Sequence, residues 1–245
     1  MKRILEVCAG SVQSVVSARE GGATRVELCS ALEIGGITPS AGLIARSREV
    51  EGIKLNVLIR PRGGDFLYNE NEVATMEHDI IESRKLGADG IVIGALTADG
   101  DVDMKVCKRL IELAEGMSVT FHRAFDMCRD PYKALEDVIS LGCHRILTSG
   151  QAATALAGVS LIKQLVEQAD GRIIIMPGCG VGVANATTIL NETGATEIHA
   201  SARMKVESLM QYRHNGVSMG NSDNDEYAHM ESDATLIRQI VDTIQ

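Results

Sequence analysis

The sequence predicts an α/β fold, a single-domain (β/α)8 or TIM barrel over residues 1–245, and three observations lead to this prediction. Short β-rich runs alternate with helical patterns along the whole chain, and eight such pairs describe a (β/α)8 barrel. Several helical patterns end in a glycine that leads into the next strand, as in "KLGADGIVI" and "SLGCHRIL". No linker or low-complexity segment divides the chain. The rival interpretation, a doubly wound open sheet, fits eight regular units less well.

Each predicted strand is a short β-rich run between two helical patterns. In chain order, the predicted strands are Arg3–Cys8, Arg25–Cys29, Lys54–Ile59, Gly90–Gly94, Ser118–His122, Arg145–Thr148, Arg172–Met176 and Glu197–Ala200. The predicted helices between them are Ser11–Gly21, Ser40–Val50, Asn71–Leu86, Asp103–Glu115, Pro131–Leu141, Ala155–Gln168 and Ala184–Asn191. The third helix is typical, because its apolar residues recur at helical spacing. The proline that opens the fifth suits a first helical turn.

A long polar segment interrupts this regularity after the eighth strand. About thirty residues, "RMKVESLMQYRHNGVSMGNSDNDEYAHMESD", precede a last predicted helix over Ala234–Ile244. Loops of this length are usually functional or mobile. We therefore predict that residues 204–233 lie over the C-terminal face of the barrel and act as a lid.

Composition argues against several classes of function. The formal net charge is −9, aromatic residues make up 3% of the chain and Trp is absent. A basic stripe with stacking aromatic residues is missing, so nucleic acid is not an expected partner. An anionic membrane surface would repel the chain, and no apolar run approaches the roughly 20 residues that span a bilayer.

The cysteines and the N-terminus together predict a cytoplasmic protein. The apolar run in "MKRILEVCAG" is too short for a secretory signal. We therefore expect the six cysteines to be reduced. They form no CxxC motif, so a preformed zinc or thioredoxin-like site is not expected.

Two successive strands end in the same Glu-x-Cys pattern, in "ILEVC" and "RVELC". Side chains alternate along a strand, so the apolar residues of each run should face the helices, while the glutamate and the cysteine face the interior. The predicted inward residues are Glu6, Cys8, Glu27 and Cys29. Paired strands lie about 4.8 Å apart, so the two sulfur atoms should lie close together.

The cysteine pair has two interpretations. Thiolates select Cu(I), which accepts few ligands, so Cys8 and Cys29 could form a copper site. Free cysteine is also among the most buried residue types, so both could be ordinary core residues. Cys179 lies in a glycine-flanked turn at the same face and could add a sulfur, whereas the remaining cysteines fall on helix or loop patterns.

Further polar side chains at strand ends indicate an active site. His122 is the candidate general acid or base, with Asp126 or Glu27 to orient it and Glu6 or Glu27 as its partner. His199 is a second histidine at this face. The alternative is a buried layer of ion pairs, or satisfied core histidines, without chemistry.

Two groups of residues could bind an anion at this face. "RPRGGDF" supplies two arginines, whose planar forks suit carboxylate or phosphate. Loops after the sixth, seventh and eighth strands carry serines and glycines, and the last two loops of such barrels often bind phosphate. The predicted anion-binding residues are Arg60, Arg62, Ser149, Gly178, Gly180 and Ser201. Alternatively, the arginines neutralise nearby carboxylates as structural pairs, and the glycines only end strands.

Four long motifs, "VELCSALEIGGITPSAG", "IRPRGGDFLY", "VTFHRAFDM" and "RILTSGQ", carry a resemblance to a known family. The chain closely resembles the copper homeostasis protein CutC family over nearly its whole length. The resemblance implies a (β/α)8 barrel, a cytosolic location, and Cu(I) binding with a role in copper tolerance or trafficking. The copper ligands it implies are Cys8 and Cys29. It does not extend to Cys179.

Two functions therefore follow as hypotheses. The first is a Cu(I)-binding carrier or buffer in copper homeostasis. The second is an enzyme that acts on a small phosphate- or carboxylate-bearing metabolite, gripped by Arg60, Arg62 and the Gly178–Gly180 turn. The expected partner is thus a copper ion or a small anionic metabolite. A homo-oligomeric scaffold is a third option, since homo-oligomers are common.

Overall fold

The structure, a computed structural model, describes residues 3–214, 216–217, 219 and 225–245. Eight parallel strands form a barrel surrounded by helices, so the predicted TIM barrel is confirmed. The strands are β1 (Ile4–Ala9), β2 (Arg25–Leu28), β3 (Lys54–Leu58), β4 (Gly90–Ile93), β5 (Ser118–Phe121), β6 (Arg145–Thr148), β7 (Ile174–Pro177) and β8 (Glu197–Ala200). The helices are α1 (Val12–Glu20), α2 (Ala41–Arg48), α3 (Glu70–Lys85), α4 (Met104–Glu112), α5 (Pro131–Ser140), α6 (Val159–Ala169), α7 (Ala186–Thr193) and α8 (Ala234–Ile244).

The hydrogen-bonded ladder runs from β7 through β6 and the intervening strands to β1, and β1 then pairs with β8. Strands β7 and β8 contact each other, but among the described residues the ladder does not join them. The barrel is therefore nearly closed. The register sets Cys8 beside Glu27 and Glu6 beside His199, which brings these residues together in the interior.

Side-chain caps fix the starts of several helices. Ser11 caps α1, and Asn69 forms a capping box with Glu72 at the start of α3. Asp130 caps α5, which has Pro131 in its first turn. Each cap satisfies backbone N–H groups that have no partner inside the helix, so the helices begin close to the predicted residues.

A charged layer fills the lower part of the barrel interior, where branched apolar residues are usual. Arg25 donates from Nε to Glu6 and from Nη2 to Glu197. Arg145 donates from Nε to the same Glu197 oxygen over 2.8 Å, and Asn56 donates to Glu6 over 3.3 Å. Two guanidinium groups thus face two carboxylates away from water. The layer is balanced in charge, which a buried ionic cluster requires.

The sixth helix and the seventh strand begin later than predicted. The predicted helix Ala155–Gln168 begins at Val159 because the preceding residues form turns, and the Ala155 N–H donates to the carbonyl of Cys179 over 2.9 Å. The backbone of Gly158 also lies directly against Ser149, where a Cβ would come within 1.9 Å of the Ser149 carbonyl oxygen. Strand β7 covers Ile174–Pro177 rather than the predicted Arg172–Met176.

The polar segment after β8 contains a two-stranded antiparallel ribbon, although we predict a loop throughout. Its strands are β9 (Arg203–Glu207) and β10 (Ala228–Ser232). The ribbon is tied to the barrel because the Ser232 N–H donates to Ser14 Oγ, and Ser232 Oγ donates to the carbonyl of Cys8. Residues 215, 218 and 220–224 of the predicted lid lie outside the described residues, and closure stays a prediction.

The surface of the described residues has two further features that bear on partners. The polar segment exposes several apolar side chains, with Leu209 at 93%. No helix in the described part of the chain combines the length and apolar character needed to cross a bilayer. Self-association stays a prediction.

The charged layer predicts a large effect of Arg25→Met on stability. The substitution leaves two buried carboxylates with one fewer cationic partner, and breaking a buried pair in this way destabilises proteins by about 3–5 kcal/mol. Urea unfolding at neutral pH measures the loss. Arg46→Met is the control, since its pair with Glu49 is exposed and should change stability by less than about 1 kcal/mol. Equal effects of the two substitutions would contradict a structural role for the layer.

Candidate functional site at the mouth of the barrel

A cavity of about 330 Å³ opens at the C-terminal ends of the strands. Most of its polar side chains fall on two walls. The thiol wall, from β1, β2 and β8, consists of Cys8, Glu27 and His199. The arginine wall, from residues that follow β3 and β5, consists of Arg60, Phe66 and His122. This is the end of the barrel where enzymes of this fold carry their active sites.

Two cysteines meet beside the thiol wall. The Sγ atoms of Cys8 and Cys29 lie 3.6 Å apart, and Cys29 also contacts the carbonyl of Ala9. Cys8 lines the cavity, whereas Cys29 follows the last residue of β2 and lies fully buried behind it. The hydrogen bond with Cys29, together with burial, raises the pKa of the Cys8 thiol well above its usual value. Cys8 is therefore a thiol at neutral pH.

His199 bridges two buried glutamates. Its Nδ1 lies 2.9 Å from Glu6 Oε1, and its Nε2 lies 3.3 Å from Glu27 Oε2. Burial opposes charge on the imidazole, but hydrogen bonds to Cys8 and Glu6 and the charge of Glu27 outweigh it and raise the pKa of His199 well above 6.5. An imidazolium thus lies between the charged layer below and the cavity above.

The two glutamates on this histidine differ in acidity. Burial would raise the pKa of Glu6, but the Arg25 guanidinium and His199 lower it from 4.5 to about 2. Burial raises the pKa of Glu27 to about 7, against the opposing effect of His199 and with a further contribution from the charge of Glu6. Glu6 is therefore a permanent carboxylate, whereas Glu27 can take up and release a proton near neutral pH.

Arg60 is held in the arginine wall by backbone carbonyls. Its Nη1 donates to Ile34 over 3.1 Å and to Gly36 over 2.8 Å, and its Nη2 donates to Gly64 over 2.8 Å. The guanidinium also stacks on Phe66. Across the described residues, no carboxylate oxygen lies within 4.0 Å of an Arg60 nitrogen, so Arg60 forms no ion pair there. Its Nε has no hydrogen-bond partner among the same residues. It does not neutralise Glu6 or Glu27, as the structural alternative suggested.

His122 is neutral and, within the described part of the chain, has no carboxylate partner. Its Nδ1 accepts a hydrogen bond from the Ala124 N–H over 3.1 Å, and its Nε2 has no partner among the same residues. Burial, and then the charge of Arg60, lower the pKa of His122 to about 3. The ring has room because Gly94 lacks a Cβ, which would lie 2.5 Å from the His122 Cε1. The predicted orientation by Asp126 or Glu27 is therefore not observed.

Asp126 instead ties the ends of β5 and β6 together. It accepts from the Ser149 N–H over 3.0 Å, from Thr148 Oγ1, and from Arg123 Nε over 2.7 Å. Ser149 Oγ donates to the carbonyl of Ala152 over 2.6 Å. Asp126 and Ser149, predicted to act in catalysis and in anion binding, thus lie outside the cavity lining and support the loops around it.

The predicted anion-binding residues also divide between the cavity and its surroundings. Arg62 lies away from the cavity and pairs with Asp65 over 3.0 Å and with Glu72 over 2.5 Å. Gly178 lies beside His199, and a Cβ there would come within 3.2 Å of the His199 Cβ. The space beside Gly178 is therefore occupied by protein side chains, and Gly178 does not line the cavity.

The turn after β7 and the end of β8 do reach the cavity. Gly180 and Ser201 line it, as does Cys179, whose Sγ donates to the carbonyl of Ala153 over 3.2 Å. Cys179 does not contact Cys8 or Cys29. Its hydrogen bond instead ties the turn after β7 to the loop after β6.

Several residues of the site and its support are absent from the sequence predictions. Arg25 has the same parity as Glu27, so the alternation rule applied to the whole strand would have placed it inside. Arg145 and Glu197 are the first residues of β6 and β8, and they are absent from the predictions because alternation was applied only to the ends of the strands. Phe66 lies in a loop, where neither alternation nor spacing signals its position.

Comparison with known proteins identifies the family. Residues 3–204 match the CutC family. The chain belongs to the CutC family. A "family protein CutC" from Chromobacterium violaceum is 53% identical over 240 residues, which cover 98% of this chain and 97% of the relative. The mouse "Copper homeostasis protein cutC homolog" is 49% identical over 97% of this chain and 88% of its own length.

Solved structures agree with the CutC assignment. CutC from Streptococcus agalactiae superposes with a TM-score of 0.78 at 36% identity, covering 81% of this chain and 98% of that one. An aldolase superposes with a TM-score of 0.63 at 18% identity, covering 80% of this chain and 89% of that one, which shows the shared fold alone.

The thiol wall of this CutC family member can hold a metal ion. One ligand atom from each of Cys8, Glu27 and His199 lies within 4.8 Å of the others, and all three residues are buried. Cys29 adds a fourth donor behind Cys8. Sulfur and imidazole donors suit soft or borderline metals better than they suit Mg²⁺ or Ca²⁺.

The raised pKa of Glu27 predicts how the free energy of unfolding varies with pH. The unfolded carboxyl group ionises near 4.5 and the folded one near 7, so the folded chain holds the extra proton between these values and loses stability as the pH rises through them. Glu27→Gln mimics the protonated form. Its stability relative to the wild type should therefore rise between pH 5 and pH 8, by on the order of 2 kcal/mol.

Urea unfolding of both proteins across this range measures the difference. Glu33→Gln, at an exposed carboxyl group, is the control and should run parallel to the wild type. A Glu27→Gln curve that is also parallel to the wild type would show that Glu27 ionises normally.

Proposed function

We propose that this CutC family member binds Cu(I) through Cys8 and Cys29 and takes part in copper homeostasis. The observation that carries the proposal is the contact of 3.6 Å between the two Sγ atoms at the edge of the cavity. Cu(I) favours thiolate ligands and is satisfied by few of them. Support also comes from the mouse relative, which is named a copper homeostasis protein. We place the activity in the cytoplasm, because reduced thiols persist there.

The surroundings of the thiol pair fit a soft cation. Cys8 opens on the cavity, which gives an entry path, and Cys29 lies behind it out of contact with solvent. Both sulfurs must lose protons to act as thiolates, so binding weakens as the pH falls. Glu27 lies close enough to Cys8 to receive a proton, and Glu27, or His199 after it loses a proton, lies close enough to serve as an additional donor.

A Cu(I) titration against a competing chelator, with millimolar glutathione present, tests the proposal. We expect the wild type to retain about one Cu(I) per chain, and Cys8→Ser with Cys29→Ser to lose at least about tenfold in affinity, since both soft ligands are gone. Cys143→Ser is the matched control, because Cys143 is buried and does not line the cavity. If the double variant holds copper as tightly as the control, the two cysteines are not the ligands.

Catalysis on a small anionic metabolite is a second candidate function, and one observation favours it. Buried acid and base groups with displaced pKa values, Glu27 and His199, face a cavity. Such pairs are typical of active sites. In this arrangement Glu27 is better suited than His122 to acid–base work, because its pKa of about 7 is close to the operating pH.

A turnover screen of phosphate- and carboxylate-bearing metabolites tests this candidate. We expect Glu27→Gln to lower kcat by about a hundredfold or more if Glu27 transfers a proton, while Glu33→Gln leaves kcat unchanged. Turnover that survives unaltered in Glu27→Gln would remove Glu27 from the chemistry.

A further inference from the structure

The arginine wall contains a buried positive charge without a carboxylate partner. Arg60 is only 5% exposed, and its guanidinium is held by neutral backbone carbonyls. A buried charge is costly unless an opposite charge compensates it. The charged layer below the cavity meets this requirement internally, and Arg60 does not. The compensating charge can therefore come from a molecule in the cavity that Arg60 lines.

A second group on the same wall calls for an acceptor. His122 is 4% exposed and its Nδ1 accepts a hydrogen bond from the Ala124 N–H. In a neutral imidazole the other nitrogen then carries the proton, so Nε2 is a donor, and no group in the described ranges accepts from it. Arg60 Nε is likewise a donor without a protein acceptor. The side chains of Arg60 and His122 both pack against the ring of Phe66, so they share one part of the wall.

The rest of the cavity adds positive charge and apolar surface. Three arginines line it (Arg60, Arg123 and Arg203), of which Arg123 is paired with Asp126, and the one lining carboxylate, Glu27, is engaged with His199. Arg60 and Arg203 therefore give the lining more positive than negative groups, although the chain as a whole carries −9. Its volume of about 330 Å³ lies at the lower end of the range usual for small-molecule sites. Leucines and Phe66 supply the apolar part of the lining.

We propose that the arginine wall binds the oxyanion group, carboxylate or phosphate, of a small organic molecule whose apolar part lies against Leu58, Phe66 and Leu147. An oxyanion supplies the negative charge that Arg60 lacks and the acceptors that His122 Nε2 and Arg60 Nε lack. The opposite end of such a molecule faces the thiol wall. The site is distinct from the copper ligands, so it stands whether or not Cys8 and Cys29 bind Cu(I).

The contrast with Arg62 sharpens this assignment. The two arginines are two residues apart in the same loop, but Arg62 pairs with Asp65 and Glu72 and lies away from the cavity. Its charge is already compensated. Binding of an oxyanion should therefore depend on Arg60 and not on Arg62.

Isothermal titration of the metal-free, reduced protein with benzoate, phenyl phosphate and the neutral analogue benzamide tests the proposal. We expect at least one of the two anions to bind about tenfold or more tightly than benzamide, because only the anions compensate Arg60. Tighter binding of benzoate assigns a carboxylate ligand, and tighter binding of phenyl phosphate assigns a phosphate ligand. Equal binding of all three probes, or no binding of either anion, overturns the proposal.

Variants then locate the site. Arg60→Met should weaken anion binding by about tenfold or more, and Arg62→Met should leave it within about twofold. Arg60 also holds three loop carbonyls, so circular dichroism must first show that Arg60→Met folds. If it does not fold, His122→Leu decides the question, since loss of a hydrogen bond to a charged group should weaken binding by about tenfold. Unchanged binding in whichever of these variants folds places the anion elsewhere and overturns the proposal.

Discussion

The arrangement of the cavity depends on the hydrogen-bonded chain from Arg25 through Glu6 to His199. Glu6 is a carboxylate because Arg25 lies beneath it, and this fixed negative charge holds His199 from below. The imidazole then faces Glu27 and the thiol of Cys8. Glu6 thus helps to fix the position and charge of His199, whereas burial raises the pKa of Glu27 and the hydrogen bond with Cys29 raises the pKa of Cys8. A barrel with an apolar lower layer would lack the charged groups that orient a histidine ring between two carboxyl groups.

The two walls differ in how far the protein satisfies them. In the thiol wall the acid, the base and the thiol have protein partners, and the cation that we propose to bind there would replace protons. The arginine wall differs, because no group among the described residues accepts a hydrogen bond from Arg60 Nε or His122 Nε2, although both atoms are buried. Under the two proposals, ligands of opposite charge would lie next to each other in one cavity.

Alternation along the strands was enough to place Glu6, Cys8 and Glu27 in the barrel interior, because every strand of the barrel is held in register on both sides or packed against a neighbour. The rule weakens at Cys29, which lies past the end of β2 and approaches Cys8 from behind. Alternation does not apply to loops, because their side chains do not point to opposite faces in turn. Hydrogen bonds to loop backbone decide where the side chain of Arg60 lies, and such contacts depend on long-range folding. The ribbon after β8 was missed because a polar composition does not distinguish exposed strands from a loop.

Gly94 and Gly178 each leave empty the volume that a histidine of the site requires. A methyl group at residue 94 would enter the ring of His122, and one at residue 178 would collide with Leu147 and press on His199. The orientation of both imidazoles thus also depends on residues 94 and 178, which have no side chain to take part in chemistry. In comparing CutC family chains, a relative that keeps both histidines but fills either glycine has a differently shaped mouth. The shape of the mouth is therefore compared between such chains at these two glycines as well as at the histidines.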